Sequence, residues 1–140
     1  MKLTTKGRYA VMAMADLATN ENLKPISLSE ISIRQNISLS YLEQLFVKLK
    51  NNHLVKSVRG SHGGYVLEKK AKDIKLSSII FAVNEEVKTL NCKKNSKKGC
   101  GGRTVKCITH NLWDDLEKHI NGFFESKNLN ELVSKQENIF

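Results

Sequence analysis

The chain has 140 residues, 40% of them hydrophobic, and a formal net charge of +9. This length fits one domain, or a small domain with an extension. No apolar run approaches the ~18 residues of a membrane span, and Asp16 interrupts the apolar stretch near the N-terminus, which argues against a secretory signal. We therefore expect a cytoplasmic protein without a membrane partner.

The positive charge is concentrated in the first half of the chain. Residues 1–70 carry 11 basic and 5 acidic side chains, whereas residues 71–140 carry 12 and 9. A basic domain favours a polyanionic partner, and nucleic acid is the first candidate. Nothing in the chain has the pattern of a catalytic triad, a phosphate loop or a paired-carboxylate site, so we do not expect an enzyme.

The N-terminal segments predict two helices. The first begins at Thr4 or Thr5 and runs to about residue 19, with apolar side chains on one face. Ser27 and Glu30 have the spacing of a capping box, in which each side chain binds the other's free backbone N–H group. This box opens a short second helix that we expect to end near Asn36.

A third helix is expected to begin after Ile37 and Ser38 and to run to about Asn52. Its apolar residues recur at helical spacing: Leu42, Leu45, Phe46 and Leu49. Two short helices joined by a tight polar turn form a helix-turn-helix pattern. Polar side chains that can bond base edges or neutralise phosphates occupy the opposite face: Ser40, Glu43, Gln44 and Lys48, with Val47 among them. An ordinary solvated helix face has the same composition.

The segment after the third helix favours the DNA-binding interpretation. Residues 54–59 alternate like a half-buried strand, residues 60–64 form a Gly-rich turn, and residues 65–67 return. A β-hairpin that follows a recognition helix is a wing. Arg59 at its tip could enter a minor groove, whose negative potential attracts arginine. We expect DNA contacts from this set: Ser38, Ser40, Tyr41, Glu43, Gln44, Lys48, Arg59 and Gly60.

Two helical patterns follow the wing. Residues 76–83 predict a helix that braces the wing. A long helix after residue 111 carries an apolar stripe at 3–4 residue spacing: Leu112, Leu116, Ile120, Phe123 and Phe124. Such a stripe is usually core, but a chain of this size leaves little for it to pack against except a second copy. We expect it to form a homodimer.

Three cysteines and a histidine lie close together in the second half, as Cys92-x7-Cys100-x6-Cys107-x2-His110. Thiolates bind iron or zinc, and a Gly-rich loop can close around the metal. Six basic residues and no acidic one between Cys92 and Cys107 would stabilise thiolates. A zinc site, inert or redox-active thiols, and a disulfide with one leftover thiol remain alternatives.

Several runs of the sequence resemble one family closely. LTTKGRYAV, ISLSYLEQLF, SVRG, GGY, the three-cysteine loop and CITHNLW are similar to the IscR-like family of bacterial iron–sulfur cluster assembly regulators. The resemblance implies a homodimeric winged-helix regulator with a [2Fe-2S] cluster on Cys92, Cys100, Cys107 and His110. It also implies repression of cluster-assembly genes at a double-stranded DNA operator, with cluster-donating assembly proteins as further partners.

The predicted fold is mainly α with a small β-wing. Residues 1–83 form a winged helix-turn-helix domain, residues 84–111 a cluster-binding loop, and residues 112–140 a dimerisation helix and docking segment. The functional alternatives are a nitric-oxide or redox sensor of the same architecture, a constitutive DNA-binding protein with structural zinc, and a module that binds RNA or acidic protein.

Overall fold

The computed structural model describes residues 5–20, 24–83 and 108–137. Its elements, in chain order, are α1 (Thr5–Asn20), α2 (Leu28–Gln35), α3 (Leu39–Asn51), β1 (Val55–Val58), β2 (Gly64–Leu67), a 3-10 turn (Ala71–Asp73), α4 (Leu76–Ala82), α5 (His110–Ser126) and α6 (Leu129–Glu137). The predicted fold class, mainly α with a small antiparallel wing, is confirmed. Among the described helices, none combines the length and apolarity that a membrane span requires.

Helix α1 lies at the centre of the fold and packs against α2, α3, α4, α6 and strand β2. Small and apolar side chains let these elements approach it closely, and Ala10, Ala13, Met14 and Leu17 are fully buried. Asp16 is buried on the same helix and binds Arg34 and Gln35 at the end of α2. Helix α1 therefore fixes the helix-turn-helix from behind.

The predicted capping box of α2 is present. The backbone N–H of Glu30 donates to Ser27 Oγ at 3.2 Å, and the N–H of Ser27 donates to Glu30 Oε2 at 3.0 Å. The helix ends at Asn36, whose φ of 55° lies in the left-handed region. Asparagine tolerates this conformation better than most residues, so the chain can turn sharply into α3.

Helix α3 begins after Ser38, whose side chain caps it by accepting from the backbone N–H of Tyr41. At its other end, His53 N–H donates to the carbonyl of Lys50 at 3.0 Å, and Leu54 N–H donates to the carbonyl of Leu49 at 3.1 Å. These two bonds form a Schellman motif. His53 occupies its left-handed position with a φ of 61°.

The wing is a two-stranded antiparallel sheet in which Val55 pairs with Leu67 and Val58 with Gly64. It is attached to the helix-turn-helix by a bridge between Ile26 and Tyr65, with N–O distances of 3.0 and 2.7 Å. A Cβ atom on Gly64 would lie 2.4 Å from the Ile26 carbonyl oxygen. Only glycine therefore allows the strand to approach this closely.

The C-terminal helices complete the core. Leu76 N–H donates to the carbonyl of Lys127, and Leu129 N–H donates to the carbonyl of Ile74, both at 2.9 Å. This pairing holds the start of α6 beside α4, and α6 also packs against α1. Helix α5 packs against α4. It begins at His110, two residues before the start that we expected for the dimerisation segment.

Candidate nucleic-acid interface

Helix α3 presents two chemically different faces. Its apolar face is buried against the core through Leu42, Leu45, Phe46 and Leu49. The opposite face is open: Ser40, Glu43, Gln44 and Val47 are exposed, and Lys48 is half-buried. The hydrophobic contacts therefore fix α3 so that its polar face points away from the protein, as a recognition helix requires.

The N-terminal end of α3 is supported by an aromatic pair. The rings of Tyr41 and Tyr9 meet edge to face, with centroids 5.9 Å apart. Ser38 Oγ and Ser40 Oγ are 3.0 Å apart and exposed. Hydroxyl groups and free N–H groups at a helix N-terminus are common phosphate ligands. Ser38, Ser40 and Tyr41, predicted to contact DNA, thus lie together at one end of the helix.

Glu43 has no structural role at the helix start. The helix cap is Ser38, and Glu43 lies one turn further inside the helix, so Glu43 is not part of the cap. Within the described residues, its carboxylate forms no ion pair or side-chain hydrogen bond. Glu43 therefore stands exposed beside Gln44 on the open face of α3.

The wing carries Arg59 and Gly60 at its tip. Arg59 is exposed just beyond β1, and Gly60 has a φ of 124°, which a residue with a side chain rarely adopts. The Gly63 N–H donates to the Gly60 carbonyl at 3.0 Å and closes the turn. Lys50 Nζ on α3 donates to Ser57 Oγ on β1 at 3.1 Å. The recognition helix and the wing are therefore linked directly.

Positive charge on this surface is available for a ligand. In the described part of the chain, Arg8, Lys48, Lys56 and Arg59 form no ion pair with an acidic side chain. Arg34 and Lys24 differ from these cations, because Asp16 holds the Arg34 guanidinium and Lys24 Nζ lies 3.1 Å from Glu30 Oε1. The unpaired cations suit phosphate neutralisation.

The candidate cluster ligands are only partly within the described residues. Cys92, Cys100 and Cys107 lie outside them. His110 is the first residue of α5 and is 8% exposed. Among the described residues, no group of three or more His, Cys, Asp or Glu side chains could hold a metal ion. The predicted ligand set therefore remains a prediction.

The apolar stripe of α5 is largely uncovered. Leu112 is 59% exposed, Leu116 37% and Phe123 55%. Ile120 is half-buried, and Phe124 is half-buried against the core. The side of α5 that faces the protein instead carries His110 and Glu117, which is 5% exposed. Helix α5 thus buries two polar side chains, His110 and Glu117, while Leu112, Leu116 and Phe123 of its apolar stripe are exposed.

The sequence predicted no role for the residues that position this surface. In the sequence, Asp16 only interrupts an apolar run, and Tyr9 has no predicted role. A buried acidic residue on an otherwise apolar helix face was a usable signal, since such a group needs a charged partner. Nothing local identified Arg34 as that partner, or Tyr41 as the neighbour of Tyr9.

A helix-turn-helix with an outward recognition helix, a linked wing and unpaired cations defines a DNA-binding transcription regulator rather than an enzyme. The family model of the Rrf2 proteins, described as iron-dependent transcriptional regulators, matches residues 3–135. The chain belongs to the Rrf2 family.

Curated relatives agree with this assignment. The HTH-type transcriptional regulator IscR of Photorhabdus laumondii is 52% identical over 137 residues, which cover 98% of this chain and 82% of the relative. IscR of Klebsiella pneumoniae is equally similar over the same span. The resemblance recognised in the sequence is thereby confirmed, and these relatives are transcriptional regulators.

Solved structures share the fold. The T. potens IscR structure has a TM-score of 0.79 and 34% identity, covering 99% of this chain and 90% of that one. CymR of B. subtilis, named the global cysteine regulator, has a TM-score of 0.80 and 31% identity, covering 96% and 98%.

Proposed function

We propose that this regulator is a cytoplasmic homodimer that senses iron–sulfur cluster supply and represses cluster-assembly genes. The [2Fe-2S] cluster would be held by Cys92, Cys100, Cys107 and His110. Cluster-donating assembly proteins would load it. The observation that carries the proposal is the position of His110 at the start of α5, the helix whose exposed side bears the uncovered apolar stripe.

The donor set fits the proposed group. Three thiolates and one imidazole match centres in which histidine replaces cysteine as a ligand to iron. When bound, such a cluster supplies a redox-active and labile iron centre whose occupancy reports on supply. His110, the first residue of α5, follows Cys107 by three positions in the sequence. The 52% identity to proteins named IscR supports the same assignment.

Coupling to DNA follows from the order of the elements. Residues 84–107 join α4, which packs on α1 and α3, to α5. A cluster bound by cysteines of this connection and by His110 would bias the position of α5 relative to the winged domain. In a dimer built on α5, that position sets the spacing of the two recognition helices, and half-site spacing is a geometric requirement of dimeric regulators.

The cluster is tested by anaerobic purification followed by absorbance spectroscopy and by iron and sulfide analysis. We expect coloured protein with about two iron and two sulfide per chain, the content of a [2Fe-2S] centre. Cys92→Ala, Cys100→Ala and Cys107→Ala should each bleach it, and His110→Ala should loosen it. Colourless protein with stoichiometric zinc would contradict the proposal and support structural zinc.

The dimer is tested by sedimentation velocity. Leu116→Glu places a charge in the middle of the α5 stripe and should give monomers. Ile33→Glu is the matched control, because Ile33 is 82% exposed on α2, outside the stripe. It should remain dimeric. A wild-type monomer, or a dimeric Leu116→Glu variant, would exclude dimerisation through α5.

A further inference from the structure

An exposed valine stands in the middle of the polar face of the recognition helix. Val47 is 57% exposed, whereas its neighbours Phe46 and Leu49 are buried. It does not belong to the hydrophobic core or to the apolar side chains packed against it. A β-branched residue is also a weak helix former. Neither packing nor helix propensity therefore explains valine at this position.

The surroundings of Val47 suggest what it contacts. Gln44 precedes it by three residues and Glu43 by four, so all three share one side of α3. The unpaired cation Lys48 is adjacent. A surface that presents Gln, Glu and Lys around one apolar group suits the major groove, where the 5-methyl group of thymine is the apolar feature of the base edges.

We propose that Val47 reads thymine by contacting its 5-methyl group. The inference rests on the proposed DNA-binding mode of α3 and adds a specificity-determining residue to it. Residues three apart on a helix are separated by about 4.5 Å along its axis, close to the ~3.4 Å rise of one base step. The thymine should therefore lie at or next to the base pair that Gln44 contacts. Because the valine side chain has little rotamer freedom to lose, such a contact costs little ordering entropy.

Uracil substitution tests this contact without altering base pairing. Full-length, anaerobically purified protein is first used to select preferred duplexes from a random pool. Each thymine of the selected half-site is then replaced singly by deoxyuridine, which lacks only the 5-methyl group. For the wild-type protein, replacement of the thymine at one position should weaken binding about fourfold. This is the effect expected when one methyl-sized group loses its contact.

Variants assign that effect to Val47. Val47→Ala should bind thymine and uracil duplexes equally at this position, and Val47→Ile should keep the discrimination. Ile33→Ala also shortens an exposed apolar side chain, but on α2. It should discriminate between thymine and uracil as the wild-type protein does. Two results would contradict the thymine contact without contradicting operator binding. Val47→Ala could still bind the thymine duplex more tightly than the uracil duplex, or the wild-type protein could bind its operator specifically and yet bind both duplexes equally. If selection yields no preferred sequence, the proposed operator-binding function itself fails.

Discussion

Asp16 on α1 and Arg34 on α2 form a two-point ion pair behind the recognition helix. Arg34 Nη2 donates to Asp16 Oδ1 at 2.7 Å, and Arg34 Nε donates to Asp16 Oδ2 at 2.9 Å. Gln35 Nε2 adds a third bond at 2.9 Å. The Asp16 side chain is 1% exposed. Because Arg34 and Gln35 close α2, this cluster fixes the angle at which the chain turns into α3.

Replacing Asp16 should therefore destabilise the domain. Asp16→Asn removes the charge that compensates Arg34, and we expect a loss of about 3 kcal/mol, the lower end for a broken buried pair, because Arg34 is 38% exposed and retains some water. Urea unfolding measures this. Glu125→Gln is the control, since its pair with Lys75 is exposed and 3.8 Å long; it should change stability by less than about 0.5 kcal/mol.

The same cluster predicts a pH dependence. Burial alone would raise the pKa of Asp16, but hydrogen bonds from Arg34 and Gln35 and the Arg34 charge outweigh it, so the pKa lies below its ordinary value. A lowered folded-state pKa gives stability that is present above the unfolded pKa of about 3.9 and is lost as pH falls through the folded value. Unfolding free energies measured from pH 6 downward should show this loss in wild type. If the stability of Asp16→Asn falls with pH as steeply as that of the wild-type protein, other carboxyl groups cause the loss.

His53 is a position where substitution should stabilise the protein. Its φ of 61° lies in the left-handed region, at the place in the Schellman motif where glycine is preferred. His53→Gly should add about 1 kcal/mol by relieving this conformation. The contact between His53 and Glu68, at 3.9 Å on the surface, offsets little of that gain. Asn36→Gly is the comparison, and its smaller expected gain reflects asparagine's tolerance of φ near 55°. Equal melting temperatures for wild type and His53→Gly would contradict this account.

Gly64 should tolerate no side chain. An added Cβ would meet backbone atoms of Ile26 and Ser27, which cannot rotate away. Gly64→Ala should reduce the free energy of unfolding by about 1–3 kcal/mol or more and loosen the wing. A lower melting temperature together with weaker DNA binding would show this. Gly122→Ala is the control, because among the described residues only the adjacent backbone of α5 lies near the position that an added methyl carbon would take. It should be neutral or stabilising, since alanine favours helix.

Arg59 and Lys48 should affect DNA binding in different ways. Arg59→Ala should cost about 1–3 kcal/mol of binding free energy at the preferred site if Arg59 reads a groove. Lys48→Ala should weaken binding to all DNA sequences alike. It should also reduce the slope of log affinity against log salt concentration by about 1. Neither side chain has an ion-pair partner among the described residues, so stability should not change. Titrations against specific and random duplexes at several salt concentrations distinguish the two roles. A wild-type protein that binds every duplex equally would refute both.

Glu43 should act on discrimination between sites. A carboxylate near phosphates is repelled, yet it can accept from cytosine N4 and is left unpaired opposite bases that offer only acceptors. Glu43→Ala should therefore strengthen binding to poor sites while binding to the best site changes little. Glu43→Gln separates charge from shape. Because Ser38 caps the helix, melting temperature should hardly move. Unaltered preference across single-base operator variants would defeat this interpretation.

Local patterns in the sequence were sufficient to predict the helices and strands of the winged domain. The Ser27–Glu30 box, the apolar spacing of α3 and the Gly-rich wing turn all act between residues a few positions apart, so their geometry follows from the residues themselves. The exposed polar face of α3 followed for the same reason. The side chains exposed on that face could thus be predicted in advance, and their contacts with DNA bases stay a prediction.

Only the tertiary structure decided how these elements are held together. Asp16 meets Arg34 across 18 positions, Ile26 pairs with Tyr65 across 39, and Glu117 is buried although it lies outside the apolar stripe of α5. Each arrangement depends on where hydrophobic packing places α1, the wing and α5 in space. The sequence determined the helix periodicity, the caps and the chemistry of the exposed face of α3. Packing across the chain decided which buried charge meets which partner, because contacts between distant residues carry no local signal.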